Sequence, residues 1–184
     1  MTSLFAAIDQ SAFPFSVTEF NTVMLIARVI AGATIFVHGF NKRFRGGKLQ
    51  GTAGWFDSMG MKPNGMVHAQ IASLTEIGAG ILLVLGVLTP LAAAGLIGVM
   101  IVAAWTVHRH AFLITKEGFE YVLILATLSF VVAAFGPGEW SIDGLLGLDQ
   151  TLVSGWRGAI IALVVGGGMG VVTLLACYRP PKQD

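Results

Sequence analysis

Five long apolar runs, parted by short polar or glycine- and proline-marked breaks, organise the chain. They fall at about residues 20–40, 66–88, 91–107, 118–135 and 158–178. A helix needs about 20 apolar residues to cross a bilayer, so each run reads as one span. No formal charge occurs in the 32 residues between Glu76 and Arg109, too long a stretch for one span. It divides into a hairpin at Thr89-Pro90, because proline disfavours helix at the residue before it. Gly136-Pro137-Gly138 ends the fourth run, and Arg157 and Arg179 bracket the fifth. Between the first two runs, Trp55-Phe56 marks a short interfacial helix around residues 52–59, since such rings favour the headgroup level.

Composition agrees with that pattern. Of 184 residues 55% are hydrophobic and 11% charged. Mean hydropathy is +0.79. A soluble domain carries about 25% charged residues. A net charge of +1 argues against nucleic acid as a partner. The lone Cys177 can form neither an internal disulfide nor a CxxC pair, and reads as a small apolar packing residue. Residues 1–17 lack Lys and Arg, so they do not read as a signal peptide. Leu4, Phe5, Phe13 and Phe15 suggest a segment lying at the interface.

The basic residues set an orientation. Lys42, Arg43, Arg45, Lys48 and Lys62 lie between runs one and two, Arg109 and Lys116 between three and four, and Arg179 and Lys182 after run five. With basic loops inside, the N-terminal segment 1–19 and the loop 137–157 are outside and the tail 179–184 is cytoplasmic. The expected fold is thus all-α: a four-helix membrane bundle over 20–136, a fifth membrane helix at 158–178, and the lipid bilayer as the first partner.

Two charges interrupt the apolar runs. Arg28 sits mid-way along the first and Glu76 in the second. A guanidinium at such depth costs about 2.5–3.5 kcal/mol unless it is answered. Counted from the inner ends, the two lie at about 18 and 15 Å, which makes an Arg28–Glu76 pair the natural expectation. Two roles stay open: an ion pair that locks the bundle, or a polar pocket for a quinone head group or for proton transfer.

A second polar group converges at the inner end: His38, Lys42, Trp105, His108, Glu120 and Tyr121. Imidazoles and carboxylates can bind a metal, but no HxxxH or CxxC spacing is present and His108 and His110 point to different helix faces. Interfacial hydrogen bonding and a redox or proton-relay cluster are the readings left, with no metal expected. In the fifth run, Gly166, Gly167, Gly168 and Gly170 make a small face that allows close helix contact, either within the bundle or with another protein.

Several motifs in order resemble the DoxX family of small bacterial membrane proteins. They are Arg28…His38-Gly39-Phe40-Asn41-Lys42, the glycine-rich loop with Trp55-Phe56 and Gly60, and Glu76-x-Gly78-x-Gly80. Leu85-Gly86-x-x-Thr89-Pro90, Glu120-Tyr121 and Gly136-Pro137-Gly138-x-x-Ser141-x-Asp143 continue the series, which covers about residues 22–147. The resemblance implies a four-helix bundle in the bacterial cytoplasmic membrane, to which the fifth span is an addition. It also implies service to a membrane redox assembly, quinone-linked or respiratory. An accessory or anchoring subunit within a larger complex is the leading reading, and a quinone-reducing subunit of the thiosulfate:quinone type the alternative. A small-solute or lipid transporter comes third, because no internal repeat or broken helix supplies alternating-access machinery. Quinone is the one candidate cofactor.

Overall fold

The computed structural model describes residues 16–148 and 153–181. The interfacial segment read at Leu4, Phe5, Phe13 and Phe15 lies outside them, as does the tail beyond residue 181. Seven α-helices follow in order: α1 (Val17–Phe44), α2 (Lys48–Ser58), α3 (Gly65–Leu85), α4 (Thr89–His108), α5 (Glu120–Phe135), α6 (Ile142–Leu145) and α7 (Gly155–Cys177). The last turn of α4, Ala104–His108, and the middle of α7, Ala162–Gly167, are wound as π-helix. No strand occurs among the described residues. One isolated antiparallel bridge joins Met61 to Tyr178.

Local chemistry explains the helix ends. Ser16 and Glu19 form a reciprocal capping box that starts α1. The Asn64 side chain accepts from Val67 N at 3.0 Å and starts α3, which Gly86 ends in the left-handed conformation. Pro90 lies in the first turn of α4, where its missing N–H costs no helix bond. Helix α2, expected around residues 52–59 from Trp55-Phe56, begins a turn earlier, at Lys48.

The most extensive pairing is between α1 and α3. They approach so closely that a Cβ on Gly32 would fall 2.6 Å from the Gly80 carbonyl, and one on Gly80 would fall 2.6 Å from the Gly32 carbonyl. Without a hydrophobic force between helices in lipid, such small-residue contacts are what hold spans together. The apolar core lies among α1, α3, α4 and α5, with Ile35, Leu83, Leu96 and Val132 fully buried. Helix α7 packs against α4 through Gly166 and Gly170, where added Cβ atoms would meet Ala94 and Ile101. Gly167 and Gly168 meet nothing within 4 Å. Of the four glycines expected to form one docking face, Gly166 and Gly170 make the contact with α4 and Gly167 and Gly168 do not.

Four helices are long and apolar enough to cross a membrane (α1, α3, α4 and α7), and α5 is a shorter apolar helix beside them. This is a multi-pass helical membrane protein.

Candidate functional site

The buried carboxylate of Glu76 pairs with Lys42, whose Nζ donates to Oε1. The ion pair is one-sided in exposure: the Lys42 side chain is 24% exposed and that of Glu76 1%. Gly39 makes this possible, since the Glu76 Cβ packs where a Cβ on Gly39 would stand. Glu76 Oε2 is buried and has no hydrogen-bond partner among the described residues. A buried carboxylate oxygen left open is costly, so this atom is where a further donor would be favoured.

Arg28 does not answer Glu76. Its Nη1 donates to the Val84 carbonyl and its Nη2 to the Trp140 carbonyl. Two physical reasons separate the residues expected to pair. First, α1 continues to Phe44, so Arg28 lies about 24 Å from the basic end of its helix, against about 17 Å for Glu76 from Gly65. Second, side chains on a helix lean toward its N-terminus. That lean carries Arg28 away from Glu76 and carries Lys42 toward it.

At the far end Arg28 joins a loop rather than a site. Asp143 accepts from Leu88 N and Thr89 N, both at 2.9 Å, and from Thr89 Oγ1 at 2.7 Å. Its own N–H donates to the Gly86 carbonyl at 2.8 Å. Asn21, about two turns before Arg28 on α1, exchanges two hydrogen bonds with Glu139. Asn21 and Glu139 were not singled out from the sequence; the Gly136-Pro137-Gly138-x-x-Ser141-x-Asp143 motif lies at this end, and Ser141 proves to be a helix N-cap.

The polar group at the basic end divides into three. Tyr121 and His38 share a hydrogen bond at 3.1 Å, with ring centroids 5.7 Å apart. His38 is one turn before Lys42 on α1, and Tyr121 lies within electrostatic reach of Glu76. These four residues form one neighbourhood. His108 and Glu120 instead hold the α4–α5 loop: His108 Nδ1 donates to the Glu117 carbonyl at 2.6 Å, and Glu120 accepts from Ile114 N at 2.9 Å. Trp105 faces outward beneath Arg109, whose guanidinium lies 5.4 Å from the indole ring. Among the described residues no three His, Cys, Asp or Glu side chains are placed to share a metal ion.

Beside the ion pair lies a cavity of about 270 Å³ between α3, α4 and α7, with α2 beneath it. Lys42 is the one charged residue in its lining. Buried Phe56, Met61 and His68 form its floor at the basic end. That floor is fastened to the end of α7: Lys62 N donates to the Cys177 carbonyl at 2.8 Å, and Arg179 N to that of Gly60 at 2.9 Å. Sequence reading missed the cavity, because its walls come from three helices and its lining is mostly Ala, Gly, Val and Thr.

The DoxX family model matches residues 23–109, which is α1 to the end of α4. A Bacillus subtilis (strain 168) protein named "Putative oxidoreductase CatD" is 34% identical over 110 residues, covering 60% of this chain and 78% of that protein. The chain belongs to the DoxX family. No solved structure matches it.

Proposed function

We propose that this protein is the membrane subunit of a redox assembly, with its basic end at the cytoplasmic face of a bacterial inner membrane. The observation that carries this reading is the Lys42–Glu76 pair: Lys42 lines an apolar cavity, and the buried Glu76 it holds keeps one carboxylate oxygen without a partner among the described residues. Family membership and the name of the Bacillus relative support it. Lys42 has further N–H donors beyond the one used on Glu76, so it can hold a quinone carbonyl. A bound quinone would supply an acceptor for two electrons and two protons. Glu76 can hold and pass a proton at Oε2 while the Lys42 ammonium stays on Oε1. The electrons come from a partner enzyme, which makes this chain a subunit more than a self-sufficient enzyme.

The test is extraction from native membranes in mild detergent, with mass spectrometry of co-migrating proteins and extracted lipids. Stoichiometric recovery with a redox enzyme is the expected result. Recovery as a lone protein carrying no quinone would overturn the assignment.

A further inference from the structure

The cavity beside Lys42 has a property that the redox reading does not require. Its rim is made of exposed apolar side chains at membrane level: Ile71 on α3, Leu91 on α4, and Val165 and Met169 on α7. Its floor, by contrast, is buried and tied to the end of α7 by the Met61–Tyr178 bridge. The mouth therefore faces the bilayer and the closed end faces the basic surface. Helix α7 lies outside the span of the family match yet supplies one wall.

The charge at the polar end selects what can enter. Lys42 is neutralised by Glu76, so the pair presents hydrogen-bond donors with no net charge. A phosphate headgroup at Lys42 would compete with the buried Glu76 carboxylate for the same ammonium and leave one negative charge in excess in a low-dielectric site, which is costly. A neutral head with a hydrogen-bond acceptor meets neither penalty. The volume fits a head and the first part of a chain, being near the roughly 300 Å³ lower bound of small-molecule pockets, with the remainder of the chain in the bilayer.

We infer that this cavity binds an uncharged, chain-bearing lipid with a carbonyl or hydroxyl acceptor in its head, admitted sideways between α3 and α7, and that it excludes anionic phospholipids. The inference rests on the proposed function only for the identity of the lipid as a quinone. A neutral glyceride has the same chemistry.

The experiment uses purified protein in phosphatidylcholine nanodiscs. Two photoactivatable probes are compared, a chain-bearing benzoquinone and a diacylglycerol, each competed with phosphatidylglycerol. Labelling of at least one probe at cavity residues such as Ala72 and Val102, unaffected by phosphatidylglycerol, is expected. Labelling by the diacylglycerol alone would support the cavity while removing the acceptor from the redox reading. Ala72→Phe, which fills the cavity, should weaken labelling about tenfold, the change that 1.4 kcal/mol brings. Leu74→Phe on the lipid-facing side of α3 should leave it unchanged. Glu76→Gln provides an arm independent of filling: with Lys42 unneutralised, phosphatidylglycerol should begin to compete. Competition by phosphatidylglycerol in the wild-type protein, full labelling in folded Ala72→Phe, or no change of competition in Glu76→Gln would each overturn the inference.

Discussion

Asp143 caps Thr89 across 54 residues of sequence, accepting hydrogen bonds from both its main-chain N–H and its hydroxyl. The start of α4 is thus closed by a loop that follows α5, and Arg28 of α1 reaches into the same loop at Trp140. One turn of chain ties three spans at the end opposite the basic loops.

Removing that cap should cost stability and leave the cavity unaltered. Asp143→Ala strips three hydrogen bonds from Leu88 and Thr89. An N-cap is worth about 0.5–2 kcal/mol, and each donor left unpaired in a buried place adds about 1–3 kcal/mol. A drop of several degrees in the melting temperature of the detergent-purified protein is the expected outcome. Asp143→Asn, which keeps an acceptor, should fall between.

The Lys42–Glu76 pair predicts an asymmetry. Lys42→Met leaves a carboxylate buried without its cation, at a cost of about 3–5 kcal/mol. Glu76→Gln leaves a lysine that is already partly exposed and can lean toward the interface, so it should cost less. The double variant should recover most of the loss. Thermal unfolding of the four proteins checks the order, and equal losses in the two single variants would contradict it.

Arg28 is assigned to structure and not to chemistry. Arg28→Met should unpair the Val84 and Trp140 carbonyls and destabilise by about 1–3 kcal/mol. Lipid labelling of the folded fraction should be unchanged. A selective loss of labelling with an unaltered melting temperature would return Arg28 to the site.

The close crossing of α1 and α3 should tolerate no side chain. Gly80→Val places a Cβ within 2.6 Å of a carbonyl and should abolish folded protein in the membrane. Gly78→Val, two residues away where nothing lies within 4 Å, should accumulate as wild type. Detergent-solubilised yield of the two variants is the measurement.

The fold was largely legible because hydrophobic runs and punctuation set which residues span and where the chain turns. The partner of each buried charge was not. The expected Arg28–Glu76 pair rested on an end of α1 at Phe40, whereas the helix carries on one turn to Phe44. That extra turn also brings Lys42 into the helix, so its side chain reaches back to Glu76. Gly166 and Gly170 announced a contact surface, but only tertiary geometry shows that Ala94 and Ile101 fill it. His38 and Tyr121 meet because α5 crosses α1, a long-range relation that local pattern does not carry. His108 and Glu120 were grouped with them by membrane level alone, and each serves the α4–α5 loop.

The wall that α7 lends to the cavity has a consequence for biogenesis. A chain emerging from the ribosome can insert α1 to α5 and form the Lys42–Glu76 pair while α7 is still being made. During that interval the flank of α4 around Ala94 and Gly98 is open to lipid. The cavity beside Lys42 is completed when α7 inserts and Tyr178 reaches Met61, so a chain interrupted before α7 can be embedded in the membrane and still lack that cavity.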